Sequence, residues 1–215
     1  LYLQHLWGGI KYALGGEEPV TLNYKLARTV RVPEENRFAK IVLDEKLNEP
    51  MELSLLPDGN VLFIERGGNI NIYDHETKKT EVIATIPVNT KYLNGSEAED
   101  GLLGVTLDPD FEKNNWIYFY YSLPGNEPKN VLTRYELKGK NLNEASRKVV
   151  LEVVVQREQC CHTGGSMAWD ENGNLYISTG DNTSPRATGY NPIDERPARY
   201  PWDAQKSSAN TNDLR

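Results

Sequence analysis

The residue best suited to chemistry is His162, followed by Thr163-Gly164-Gly165 and then the strand-like run Ser166 to Trp169. An imidazole titrates near neutral pH and can serve as a general base. The two glycines behind it let another group come close to the backbone. The same pattern also suits a histidine that only hydrogen-bonds loop backbone, and the local residues leave both readings open. Glu97-Ala98-Glu99-Asp100-Gly101 is an acidic loop running into the apolar Leu102-Leu103. Glu99 or Asp100 can orient a ligand or help hold a cation; the plainer reading is a solvated turn ahead of a buried strand. The acidic stretch Asp181 to Asp213 offers oxygen ligands of the kind Ca2+ takes, without EF-hand spacing, or else side chains that stiffen a long loop by hydrogen bonding. No metal ligand is assigned from spacing. Cys160-Cys161 directly precedes His162. Adjacent Cα atoms lie ~3.8 Å apart, against roughly 4.4–6.8 Å in ordinary disulfides. A vicinal disulfide therefore needs local distortion, and two half-buried thiols are the alternative. His5 and His75 read as surface residues.

The elements that must position these groups are short and β-prone. Ile41 to Leu43, Met51 to Leu56, Asn60 to Glu65, Asn69 to Tyr73 and Glu81 to Ile86 read as strands. So do Leu102 to Leu107, Trp116 to Ser122, Asn130 to Leu137, Lys148 to Val155, Ser166 to Trp169 and Asn174 to Ser178. Pro57-Asp58-Gly59-Asn60 and Arg66-Gly67-Gly68-Asn69 supply tight-turn chemistry between them. A strand–turn–strand unit recurs around Pro57, Pro109 and Glu171, at spacings of 52 and 62 residues. Recurrence of this kind, stretched by loops, predicts an all-β fold of the β-propeller type. Three copies fall short of the roughly four to eight blades that close a ring. Residues 1–14 place Leu3, Leu6, Trp7, Ile10 and Leu14 near a 3.6-residue period and predict an amphipathic helix ended by Gly15-Gly16. Residues 17–38, with Pro19 and Pro33, read as a linker. The chain opens inside a helical pattern and stops without a tapering element, and is expected to be a fragment of a longer protein.

Composition narrows the function. The 215 residues carry 31 acidic and 24 basic side chains, a net charge of −7. No basic stripe is present to neutralise phosphates, which argues against a nucleic-acid partner. No run approaches the roughly 20 apolar residues of a membrane span. No signal peptide is visible.

Two segments carry a family resemblance. Glu99-Asp100-Gly101-Leu102-Leu103-Gly104-Val105-Thr106-Leu107-Asp108-Pro109-Asp110-Phe111 with Asn115-Trp116-Ile117-Tyr118 resembles the glucose/sorbosone dehydrogenase family. His162-Thr163-Gly164-Gly165 with Asn172-Gly173-Asn174-Leu175-Tyr176-Ile177-Ser178-Thr179-Gly180-Asp181 is similar to a second signature of that family. The resemblance covers about residues 38–215. It implies a six-bladed β-propeller, of which residues 39–215 would be the N-terminal part. Residues 1–16 are similar to the last helix of a ThuA-like (trehalose-utilisation) domain, a much shorter match. The family implies a sugar or alditol substrate and a PQQ cofactor bridged to the protein by Ca2+. It also implies a histidine that takes the hydroxyl proton as hydride passes to the quinone, and a periplasmic or extracellular location. The electron acceptor is not implied.

By position, His162 is the expected catalytic histidine, and Glu99, Cys161 and Gly164 are expected cofactor contacts. Two departures stand out. Cys161 replaces an acidic residue next to the histidine, and Glu99 replaces an amide. The main PQQ and Ca2+ ligands are expected after Arg215. A non-catalytic propeller that binds carbohydrate or a partner protein is the alternative function.

Overall fold

The structure is a computed structural model that describes residues 39–158, 162–181 and 214. The chain from Leu43 onward forms one compact unit. The expected N-terminal helix, the linker over 17–38, the Cys160-Cys161 pair and residues 182–213 lie outside the described residues. The described part is all-β apart from one four-residue helix.

The first sheet runs β1 (Pro50–Leu55), β2 (Val61–Glu65), β3 (Asn69–Asp74) and β4 (Lys79–Thr85), in sequence order and antiparallel throughout. The second repeats the pattern with β5 (Leu102–Leu107), β6 (Trp116–Leu123), β7 (Lys129–Lys138) and β8 (Asn141–Val154). The helix α1 (Phe111–Asn114) fills the β5–β6 connection and ends at Asn115, which is left-handed at φ 57°. A third sheet consists of β9 (Gly164–Trp169) paired antiparallel with β10 (Leu175–Thr179). The first strands β1, β5 and β9 stand side by side. This is the architecture of consecutive propeller blades, as the repeat predicts.

Packing explains why the inner strands are apolar on both faces. In β6, Ile117, Phe119 and Tyr121 join a core with Leu62, Ile64, Ile70 and Ile72 of the first sheet. The alternate residues Tyr118 and Tyr120 face the other way, into a cluster with Leu103, Leu132, Val153 and Met167. A strand with a neighbouring blade on each side loses the polar-out alternation of a one-sided sheet. Tyr118 meets Trp169 edge to face, with ring centroids 5.4 Å apart, across the second and third sheets. Glu52 on β1 links all three sheets: one carboxylate oxygen accepts from the Val105 N–H at 2.9 Å and the other from the Ser166 hydroxyl at 2.8 Å.

The repeat extends to its turns. Asp108 and Asp170 occupy the same place, each donating its N–H to the carbonyl that opens the return strand. Each accepts a tyrosine hydroxyl from two residues further on, Tyr118 at 3.0 Å and Tyr176 at 3.3 Å. The first sheet substitutes the buried apolar pair Leu56 and Leu62 at these places.

Two expectations need correction. Residues 41–43 form no strand and are exposed, because an apolar triplet becomes a strand only where another strand pairs with it. The outer strand β8 begins at Asn141, seven residues earlier than Lys148. Its polar first half is held by pairing with β7 through two register shifts, which apolar patterning does not reveal.

Candidate active site

The acidic loop before β5 is not a solvated turn. Ala98 and Asp100 are buried, with Glu99 exposed between them. Two arginines fasten it. Arg66, just after β2, donates through Nη1 to the carbonyls of Ala98 at 3.0 Å and Asp100 at 3.1 Å. Its Nη2 pairs with Glu49 at 2.9 Å and Glu97 at 3.2 Å, and these partners, Glu49 first, raise its pKa further. Arg157, after β8, donates from Nε to Asp100 Oδ2 at 2.9 Å and from Nη2 to the Leu123 carbonyl at 2.8 Å. The Asp100 and Arg157 side chains are 5% and 3% exposed, so this is a buried ion pair. Asn89 Nδ2 donates to the same Asp100 oxygen at 3.1 Å, and Thr163 Oγ1 to the other at 3.4 Å. Burial raises the Tyr92 phenol pKa in the same loop.

Asp100 thereby reaches the residue next to His162. His162 lies two residues before β9, its side chain about half exposed. Its backbone is left-handed, with φ 67°, which is uncommon for a residue other than glycine. Its N–H donates to Glu99 Oε2 at 2.5 Å. Its Nδ1 stands 2.9 Å from Asp181 Oδ1. A carboxylate can only accept, so in the neutral imidazole the contact selects the tautomer with the proton on Nδ1 and leaves Nε2 as the acceptor.

The β9–β10 hairpin makes this meeting possible. Thr179 pairs with Gly164, so the residues flanking the two strand ends face one another. Gly180 is where the chains touch: a Cβ there would fall 1.4 Å from the His162 carbonyl oxygen. A Cβ on Gly164 would lie 2.8 Å from the Ser178 carbonyl oxygen, so this glycine is required by the hairpin's own packing.

Of the residues expected from the sequence, the structure brings His162 and Glu99 into contact and sets Gly164 in the same strand end. Cys161 lies outside the described residues. His75 is exposed, at the turn between β3 and β4. Among the described residues no cluster of three or more His, Cys, Asp or Glu is placed to hold a metal ion. Asp181, which the sequence offers within an acidic loop and at the end of the second family signature but not as a site residue, is the histidine's partner. Nothing in the local sequence around Arg157 or Asn89 points to their bonds with Asp100. A separate open cavity of about 390 Å3 between the first two sheets includes Tyr121, Tyr135 and Arg147 and contains none of His162, Glu99, Asp100 or Asp181.

A half-exposed imidazole, tethered at Nδ1 by a carboxylate and seated at the first strand of a blade, is a proton-accepting arrangement. The model of the Glucose / Sorbosone dehydrogenase family matches residues 47–195, which takes in Glu99, His162 and Asp181. The chain belongs to the glucose/sorbosone dehydrogenase family. It is similar to the aldose sugar dehydrogenase YliI of Escherichia coli (strain K12), at 28% identity over 144 residues that cover 66% of this chain and 38% of the relative. The apo-form crystal structure of the soluble aldose sugar dehydrogenase of Escherichia coli superposes with a TM-score of 0.57 at 25% identity, covering 66% of this chain and 40% of that one. The PQQ-bound form of aldose sugar dehydrogenase from Streptomyces coelicolor gives a TM-score of 0.50 at 26% identity, covering 63% and 39%. This glucose/sorbosone dehydrogenase family chain spans well under half the length of the curated relatives it matches.

Proposed function

We propose that this chain forms the first blades of a sugar-oxidising quinoprotein in which His162 accepts the proton of the substrate hydroxyl. The observation that carries the reading is the Asp181–His162 contact of 2.9 Å, which leaves Nε2 as the acceptor on a half-exposed ring. Relatives whose names are aldose sugar dehydrogenases support a sugar or alditol as the substrate class. One solved relative is a PQQ-bound form, which supports PQQ as the hydride acceptor. A periplasmic or extracellular location belongs to the same proposal; among the described residues no helix is long and apolar enough to cross a membrane.

The donor set fits such a cofactor in its proton-handling half. His162 supplies the base, Asp181 fixes its tautomer, and Glu99 and Gly164 border it. Charge for the carboxylates of PQQ is not supplied by the two arginines beside the loop, because Arg66 and Arg157 are both engaged by acidic side chains and carbonyls. PQQ when bound would take up the hydride, while the described residues hold the proton and orient the ring. Ca2+ is proposed with the cofactor, on ligands outside the described residues.

The experiment is reconstitution of the full-length protein with PQQ and Ca2+, followed by dye-linked oxidation of a sugar and alditol panel. His162→Ala is expected to lower turnover about 10²–10⁴-fold, the usual contribution of a general base. A loss of only a few-fold overturns the assignment of His162. Absence of oxidation across the panel, with carbohydrate binding retained, identifies a binding propeller instead.

A further inference from the structure

We propose that Glu99 is a positioning residue: it holds the main chain of His162 in its left-handed conformation and so sets the direction of the imidazole. The inference rests on reading His162 as the base, and it gives Glu99 a task that the cofactor contact expected from sequence does not include.

Three contacts define the geometry. The His162 N–H points at Glu99 Oε2 at 2.5 Å, a short, charge-assisted bond. The His162 carbonyl lies against Gly180, where no Cβ fits. The ring is held at Nδ1 by Asp181. The backbone is thus gripped on its amide side by a residue 63 positions earlier in the chain, and the ring separately by one 19 positions later. A non-glycine residue at φ 67° persists only where its surroundings over-determine it. If the N–H is released, the main chain can return to the commoner negative-φ regions. The Cα–Cβ direction then swings, and Nε2 moves with it.

Glu99 is itself presented without slack. The carbonyls on either side of it, Ala98 and Asp100, both accept from Arg66 Nη1. The Ala98 N–H is bonded to the Thr90 carbonyl at 2.8 Å, and the Asp100 side chain to Arg157. The carboxylate between them is an exposed group on a fixed frame. What the frame requires of residue 99 is an acceptor oxygen at a set place, which a glutamine amide also offers.

The test uses the full-length protein, selectively 15N-labelled at histidine, with PQQ as the cofactor probe. Three variants are compared with wild type: Glu99→Leu, Glu99→Gln and His162→Ala. A charge-assisted bond to a carboxylate moves the His162 amide proton downfield, and Glu99→Leu is expected to shift that resonance upfield. The same variant is expected to lower kcat about 10–100-fold while KM stays within roughly two-fold, the effect of a misplaced base. Glu99→Gln is expected to restore kcat to within about five-fold of wild type, because its amide oxygen still accepts. The proposal is overturned if the amide resonance is unmoved in Glu99→Leu. It is equally overturned if Glu99→Gln falls as far as Glu99→Leu and loses PQQ affinity in proportion, since Glu99 would then act as a charged cofactor contact. Wild-type turnover in His162→Ala would remove the base reading alone, and the amide resonance would still decide the tether.

Discussion

Asp181 Oδ1 lies 2.9 Å from Nδ1 of His162, across the open end of a single β-hairpin. The two residues leave the paired strands β9 and β10 at the same edge of the sheet. Ring orientation is therefore a property of the hairpin register and needs no distant element.

A carboxylate at Nδ1 dictates one tautomer; an amide does not, because it can present either a donor or an acceptor. Asp181→Asn in the full-length protein is accordingly expected to lower kcat about 10²–10⁴-fold with little change in KM, as tautomer loss does in other carboxylate–histidine pairs. Steady-state kinetics on the best sugar checks it. A variant within a few-fold of wild type would show that the carboxylate does not govern the ring.

The Asp100–Arg157 pair should behave as a buried salt bridge. Asp100→Asn leaves the guanidinium buried without its counter-charge and is expected to destabilise the protein by about 3–5 kcal/mol. The double replacement of Asp100→Asn with Arg157→Met removes both charges and should cost clearly less than the two single changes, Asp100→Asn and Arg157→Met, together. Denaturant unfolding of the four proteins in a double-mutant cycle measures the coupling. Strict additivity would show that the two side chains do not act as a pair.

Alkaline stability follows from the tyrosines. Burial pushes the phenols of Tyr118, Tyr120 and Tyr135 up from 10.0 to about 12. The hydrogen bond to Asp108 adds to this at Tyr118, and Tyr121 adds to it at Tyr135. A raised pKa means that the folded state favours the neutral phenol. The contribution is therefore fully present below about pH 10 and is lost as the pH rises towards 12. A spectrophotometric titration should show a late phenolate class near pH 12, in step with loss of β-sheet signal. Titration of every tyrosine near pH 10 in the folded protein would contradict it.

Legibility differed between the fold and the site for physical reasons. Strands such as β2 and β6 are short apolar runs bounded by turn residues, and their pattern is local, so it can be read directly. The first half of β8 is polar and becomes a strand only because β7 offers a partner, with two register shifts. His162 was visible because glycines follow it. Asp181 stands in the sequence as one acid of a loop and as the last residue of a family signature; its role as the ring's partner depends on the register that pairs Thr179 with Gly164. Arg157 gave no signal: a single charge after a valine-rich strand does not announce that its partner lies 57 residues back.

Glu52 has a consequence for how the molecule assembles. Each of the first two sheets is a chain of neighbouring hairpins, so most of its contacts are local and form at small loop-closure cost. The carboxylate of Glu52 instead spans 53 residues to Val105 and 114 residues to Ser166. Bonds of that span close long loops and are expected to form after the local hairpins. Contacts that form after the folding barrier slow departure from the native state and leave the rate of reaching it nearly untouched, so Glu52→Gln is expected to speed unfolding more than it slows folding. One acidic side chain on the first strand thus acts as a latch across three sheets.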